Sequence, residues 1–246
     1  MNLPIFGRGR GAASGGPVVL RIAADPRVLE RFPSYSAAVG HGGALLGGSS
    51  DPASDARLAS AEAAARNAFA RIPVQQHRHV RAWREAYGAF GSKPSKFLCS
   101  AEALLRRVLR GESLPRINRL VDLYNAVSLR HVIPAGGDDL DRVAGQLRLT
   151  FAEGAEPFDA GDASDPPYPG EVVWMDAEGI TCRRWNWRQC RRTRLTEETV
   201  NAYFVLDRLA PHPVEALRAA TAELLEGLAA ISPGCALRTE WIGRTD

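Results

Sequence analysis

Two groups of residues have types and spacing that could do chemistry. Residues 183–194 read Arg-Arg-Trp-Asn-Trp-Arg-Gln-Cys-Arg-Arg-Thr-Arg, six arginines and two tryptophans in twelve positions. A guanidinium fork grips phosphate or carboxylate through two parallel hydrogen bonds, and an indole ring stacks on a nucleic-acid base. Read as a strand, the stretch puts Arg183, Trp185, Trp187 and Gln189 on one side. Arg184, Asn186, Arg188 and Cys190 fall on the other. The tryptophans then belong to a core, and Arg184, Asn186 and Arg188 face a pocket or solvent. Cys190 stands among cations that favour a thiolate. No partnering histidine motif accompanies it, so it reads as a small buried thiol.

The second group is Asn118, Asp122 and Asn125, spaced to share one face of a helix beside an apolar stripe of Ile117, Leu120, Val121, Tyr124 and Val127. Asn and Asp suit helix interiors poorly because their side chains compete for backbone hydrogen bonds. Three on one face therefore mark a polar pocket wall on a rigid helix, a buried structural network or a solvated face. Metal chemistry is not expected. His41, His77, His79, His131 and His212 form no ligand set, and the four cysteines have no CxxC spacing. The glycine-rich runs at 40–43 and 135–139 lack phosphate-loop and dinucleotide spacing, so no cofactor is expected and ATP and NAD sites are excluded.

The elements that must position these residues follow from pattern. Residues 17–26 read as a strand, and 35–48 as a second, glycine-rich one. An alanine-rich helix spans 54–72 with Ser54 as its cap, and another spans 75–90. A helix at 100–110 closes at Gly111, and one from Pro115 to His131 carries the polar face. Strands then dominate: 145–154, a hairpin at 171–184 turning near 176–179, and 195–209. An amphipathic helix at 213–231 closes the domain. Strands, then helices, then strands with a last helix argue for an α+β fold.

The net charge of +3 hides a segregation. Residues 71–119 hold eleven basic side chains against three acidic ones, and 137–178 hold two against eleven. That favours a polyanionic partner on one surface. Only Lys93 and Lys96 among the basic residues are lysines. A general arginine preference would give that ratio, so the clustering is the stronger evidence. The opening 1–16 reads as a flexible leader without a signal-peptide core. With no apolar run of about 20 residues and free thiols, a cytoplasmic protein with no membrane partner is expected. A single domain at 17–235 and a tail at 236–246 complete the expected organisation.

Four segments in order carry a family resemblance: residues 82–111, 114–143, Gly-Glu-Val-Val-Trp at 170–174, and 183–202. Together they resemble the tRNA-binding and editing domain of the phenylalanyl-tRNA synthetase β subunit, over about 71–209, in free-standing form. The resemblance implies an α+β fold with a β-sandwich-like core and flanking helices. It implies tRNA as partner, met at its acceptor end, with an aminoacyl group as ligand and no DNA. It also implies trans-editing, the hydrolysis of a mischarged aminoacyl ester. The alternatives are a non-catalytic tRNA-binding module and a pocket protein for a free amino acid or small metabolite. On this resemblance Asn125, Asp122, Arg188 and Asn186 are the catalytic candidates, and Asn118, Ser128 and Arg184 border the pocket. Arg106, Arg107, Arg110, Arg116, Arg191 and Arg192 are the tRNA contacts. Two editing positions depart from the family: Gly136 stands where it has histidine, and Gln189-Cys190-Arg191 replaces a glycine-rich acidic segment.

Overall fold

The computed structural model describes residues 22–159 and 165–244. The leader expected at 1–16 lies outside them. Strand β1 (Ile22–Ala24) leads into helix α1 (Pro26–Arg31), whose first turn is capped by the Asp25 carboxylate accepting from the Arg27 amide. Helices α2 (Pro52–Ala68), α3 (Arg78–Ala89), α4 (Ser100–Leu109) and α5 (Arg119–His131) follow strand β2 (Tyr35–Gly43). Beyond them come β3 (Ala135–Asp139), β4 (Leu147–Phe151), β5 (Val172–Asp176), β6 (Gly179–Arg183), β7 (Arg188–Gln189) and β8 (Ala202–Leu209). Helix α6 (Val214–Ile231) and strand β9 (Ala236–Gly243) complete the described chain.

The strands make two sheets, ordered β1-β4-β5-β6-β7 and β3-β8-β2-β9. Strand β8 shows how they stack, because successive side chains leave a strand on opposite faces. Tyr203, Val205 and Leu209 pack with Leu147, Leu149, Val172 and Trp174 of the other sheet. Ala202, Phe204 and Leu206 pack with Leu120 and Tyr124 of α5 and Leu217 and Leu224 of α6. The result is the expected α+β fold, a sandwich-like pair of sheets with helices outside. A further apolar cluster joins α2 to α5 through Leu58, Val80, Leu105 and Ala126.

Several local expectations need correction. Helix α2 is capped by Asp51, not Ser54; Ser54 is the third helical residue of a reciprocal capping box. Helix α5 begins at Arg119, not at Pro115, so Asn118 is its cap rather than an interior residue. The expected tail at 236–246 contains β9, which pairs with β2 from Ser36 to Gly43. The strict alternation expected at 183–190 breaks into a turn after Arg183, where Arg184 and Trp185 take φ of 46° and 64°. No helix of the described residues is long and apolar enough to cross a membrane.

Candidate functional site

A cavity of about 250 Å³ opens between the two sheets beneath α4 and α5. Ser100, Ala103 and Leu104 of α4 and Tyr124 and Asn125 of α5 line one side. Trp174, Trp185 and Trp187 supply aromatic walls, and Tyr203, Val205 and Asp207 of β8 form the floor with Asp138 of β3. Asn125, Asn186, Trp187 and Gln189 are half-buried and Arg188 is exposed, so these residues mark the mouth.

The turn at 184–187 shapes that mouth. Two successive left-handed residues with bulky side chains are strained unless the surroundings hold them. Here they do. Arg183 makes a buried bidentate pair with Glu171, Nε to Oε1 at 2.7 Å and Nη2 to Oε2 at 2.6 Å. The Arg184 guanidinium lies 3.7 Å from the Phe97 ring centroid and 4.4 Å from that of Trp187, and pairs with Asp165 at 2.9 Å. Trp185 is fully buried, edge-on to Phe32, Tyr35 and Trp83 at 4.9, 4.9 and 5.1 Å. Asn186 is fixed from both ends: its Oδ1 accepts from the Tyr87 hydroxyl at 3.0 Å, and its Nδ2 donates to Asp207 at 3.0 Å.

Two buried carboxylates define the polar interior, and sequence reading singled out neither. Asp207 accepts from the Tyr35 hydroxyl at 2.7 Å and from Asn186. Asp138 accepts from the Tyr203 hydroxyl and from Thr193 Oγ1 at 2.7 Å. Burial lifts each pKa to about 6, against the lowering effect of these donors. No cation pairs with either among the described residues; nearby Arg192 pairs with Asp176 at 2.7 Å, and Arg208 donates to the His212 carbonyl and Ser36. Asp138 lies opposite Tyr203 and Asp207 is four residues further along β8. At about 3.3 Å per residue the two acids are roughly 13 Å apart along the strand. The sequence signal was a lone acid inside the buried run Ala202–Leu209.

The expected residues divide sharply. Asn125, Asn186 and Arg188 reach the cavity. Asp122, Asn118, Ser128 and Arg184 are not among its lining residues. Asp122 is buried, accepting from Ser50 Oγ at 2.6 Å and the Ile117 amide at 3.0 Å. Asn118 caps α5 through the Val121 amide at 2.9 Å. Ser128 donates to the Ile133 carbonyl at 2.7 Å. The arginines expected at tRNA are mostly engaged in ion pairs. Arg106 meets Glu102 at 2.7 Å, Arg110 meets Glu112 at 2.8 Å, and Arg107 meets Glu112 at 3.5 Å. Arg116 bridges Asp55 and Glu62 at 2.6 and 2.7 Å. Arg192 joins β5 to the segment after β7 through Asp176, whereas Arg191 and neighbouring Arg194 are exposed. Cys190 is buried with its sulfur 3.2 Å from Thr193 Oγ1, and the pocket thiol Cys182 has its pKa pushed well up by burial. Neither is placed as an activated nucleophile.

Residues 82–221, from α3 into α6, match the family model of the B3/4 domain. The chain belongs to the B3/4 domain family. The same module occurs in the phenylalanyl-tRNA synthetase β subunit, the family the sequence resembles. This B3/4 domain is also similar to a solved N-terminal fragment of the phenylalanyl-tRNA synthetase β subunit from Pyrococcus horikoshii. That likeness has 13% identity and a TM-score of 0.45, and covers 90% of this chain and 51% of that one. The chain thus spans about half the length of that fragment. No curated protein matches it.

Proposed function

We propose that the cavity of this B3/4 domain receives the aminoacyl end of a charged tRNA and hydrolyses its ester. The observation that carries the reading is the pocket itself: aromatic walls, buried carboxylates and a mouth set with Asn125, Asn186 and Arg188. A ligand's side chain enters between the sheets while its ester stays at the mouth. Water attacks the ester carbonyl carbon, the bond to the ribose oxygen breaks, and the water's proton passes to that departing oxygen. The ester is already activated, so positioning and charge stabilisation supply most of the rate. Asn125 and Asn186 offer amide N–H groups to the developing oxyanion, and Arg188 meets the oxyanion or the terminal phosphate. Asp122 plays no part in this reading, because it lies outside the cavity lining with its oxygens accepting from Ser50 Oγ and the Ile117 amide.

One observation favours the non-catalytic alternative. No histidine lines the pocket among the described residues, Gly136 leaves its wall bare, and the Gln189 amide is spent on the Gly137 carbonyl at 2.7 Å. A screen of correctly and incorrectly charged tRNAs, with protein at sub-stoichiometric concentration, separates the two. Turnover of one mischarged species, lost by tenfold or more in Asn125→Ala and Arg188→Ala with folding intact, supports hydrolysis. Binding without turnover across the panel selects the tRNA-binding module instead.

A further inference from the structure

Resting on the aminoacyl reading of the pocket, we propose that it selects an amino acid with a positively charged side chain. One buried carboxylate receives the α-ammonium and the other the side-chain cation. Asp138 and Asp207 project from the same face of their sheet, because Asp138 pairs with Tyr203 and residues 203, 205 and 207 alternate to one side of β8. Both acids line the cavity. Taking about 2.8 Å for a hydrogen bond at each end leaves roughly 7 Å of the 13 Å strand separation between a ligand's two donors. An extended basic amino acid spans such a gap.

The lining between the acids suits the same ligand. Val205 and the bare Gly136 lie between them in sequence register, and Trp174, Trp185, Tyr124 and Tyr203 surround the space. Apolar walls take a methylene stem, and aromatic faces attract an ammonium. A buried carboxylate without a counter-ion is costly, and a ligand cation relieves that cost when hydrogen-bonded to it. The arginines nearby do not fill this role. Arg184 is neutralised by Asp165 outside the cavity lining, and Arg188 is exposed at the mouth. A linear diamine shares the two-cation chemistry but lacks the ester, so the test must separate the two.

Calorimetric titration of the full chain at neutral pH with lysine amide, norleucine amide and a linear five-carbon diamine does so. Norleucine matches lysine in stem length without the terminal cation. Lysine amide is expected to bind at least about tenfold more tightly than norleucine amide, and more tightly than the diamine. Of Asp138→Asn and Asp207→Asn, one should erase the lysine preference and the other should weaken both amides alike. The wild-type comparison stands even if a variant fails to fold. Equal affinities for the two amides, or no binding of either, overturn the proposal. Deacylation of an apolar aminoacyl-tRNA by the same preparation would then leave the aminoacyl reading standing. Diamine binding as tight as lysine amide, with no tRNA ester hydrolysed, overturns the aminoacyl reading as well.

Discussion

Asp138 and Asp207 are the two buried carboxylates of the cavity lining. Their ordinary pKa of 3.8 is lifted to about 6 in the folded chain, chiefly by burial. The folded state therefore binds more protons than the unfolded state between those values, so their contribution to stability falls as pH rises through that window. Asp207→Asn is expected to flatten this loss, measured as urea midpoints from pH 4 to pH 7. A bound cation stabilises the charged form, so ligand binding should release protons near pH 6 and weaken below it. Calorimetry in buffers of different ionisation enthalpy would read that release. The sequence made Asn125, Asn186 and Arg188 legible, but not these acids. Asp207, isolated in an apolar run, and Asp138, beside two glycines, carry no partner pattern, since their hydroxyl donors, Tyr35 and Tyr203 respectively, come from other strands. Asn118 and Asp122 were grouped with Asn125 by helical spacing alone. Spacing does not locate a helix start, and Pro115 offered a competing one.

At the level of elements, the 184–187 turn depends on contacts from distant segments. Glu171→Gln should leave the buried Arg183 guanidinium with only the more distant Asp165 carboxylate at 3.5 Å and cost about 3 kcal/mol, read from chemical denaturation. Tyr87→Phe removes one neutral hydrogen bond to Asn186 and should cost only about 1 kcal/mol, while loosening the pocket mouth. Gly137→Ala tests strand β3 more severely, because a methyl group there meets Phe204 Cδ1 and the Tyr203 carbonyl oxygen at 2.8 Å. Large loss of stability, with ligand binding lost alongside it, is expected. The turn was hidden from sequence reading because the residue types on either side of it continue a period of two. Strand β9 was hidden for a different reason: it is a partly exposed edge strand, so its residues carry little apolar alternation. The hairpin between β5 and β6 was legible because its turn residues and β-branched strands agree.

Across the whole molecule, charge segregation along the chain does not survive as a bare basic face. Folding brings Asp55 and Glu62 to Arg116, and Glu102 to Arg84 and Arg106. Arg116→Ala should therefore act mainly on stability. Arg191→Glu, at an exposed position beyond the pocket mouth, should weaken tRNA binding and lower its salt dependence by about one counter-ion per lost phosphate contact. Parallel thermal melts and salt titrations distinguish the two effects. A second long-range set opposes the pocket acids in their pH response. His79 and His212 stack at 4.1 Å, and burial lowers the His212 pKa to about 4 and that of His79 well below its usual 6.5. Their contribution to stability is present above pH 6.5 and is lost as pH falls toward 4, the reverse of the aspartates. His212→Phe should reduce the acid-induced loss, seen as a shallower fall in melting temperature.

The two faces of β8 also bear on how such a domain can change its ligand. Tyr203, Val205 and Asp207 face the cavity, while Ala202, Phe204 and Leu206 hold α5 and α6. Cavity lining and scaffold are thus interleaved along eight residues yet fall on separate surfaces. Variation at alternate positions can retune what the pocket admits while the helical layer keeps its partners. A library confined to positions 205 and 207 should yield folded proteins with new selectivity far more often than one confined to 204 and 206.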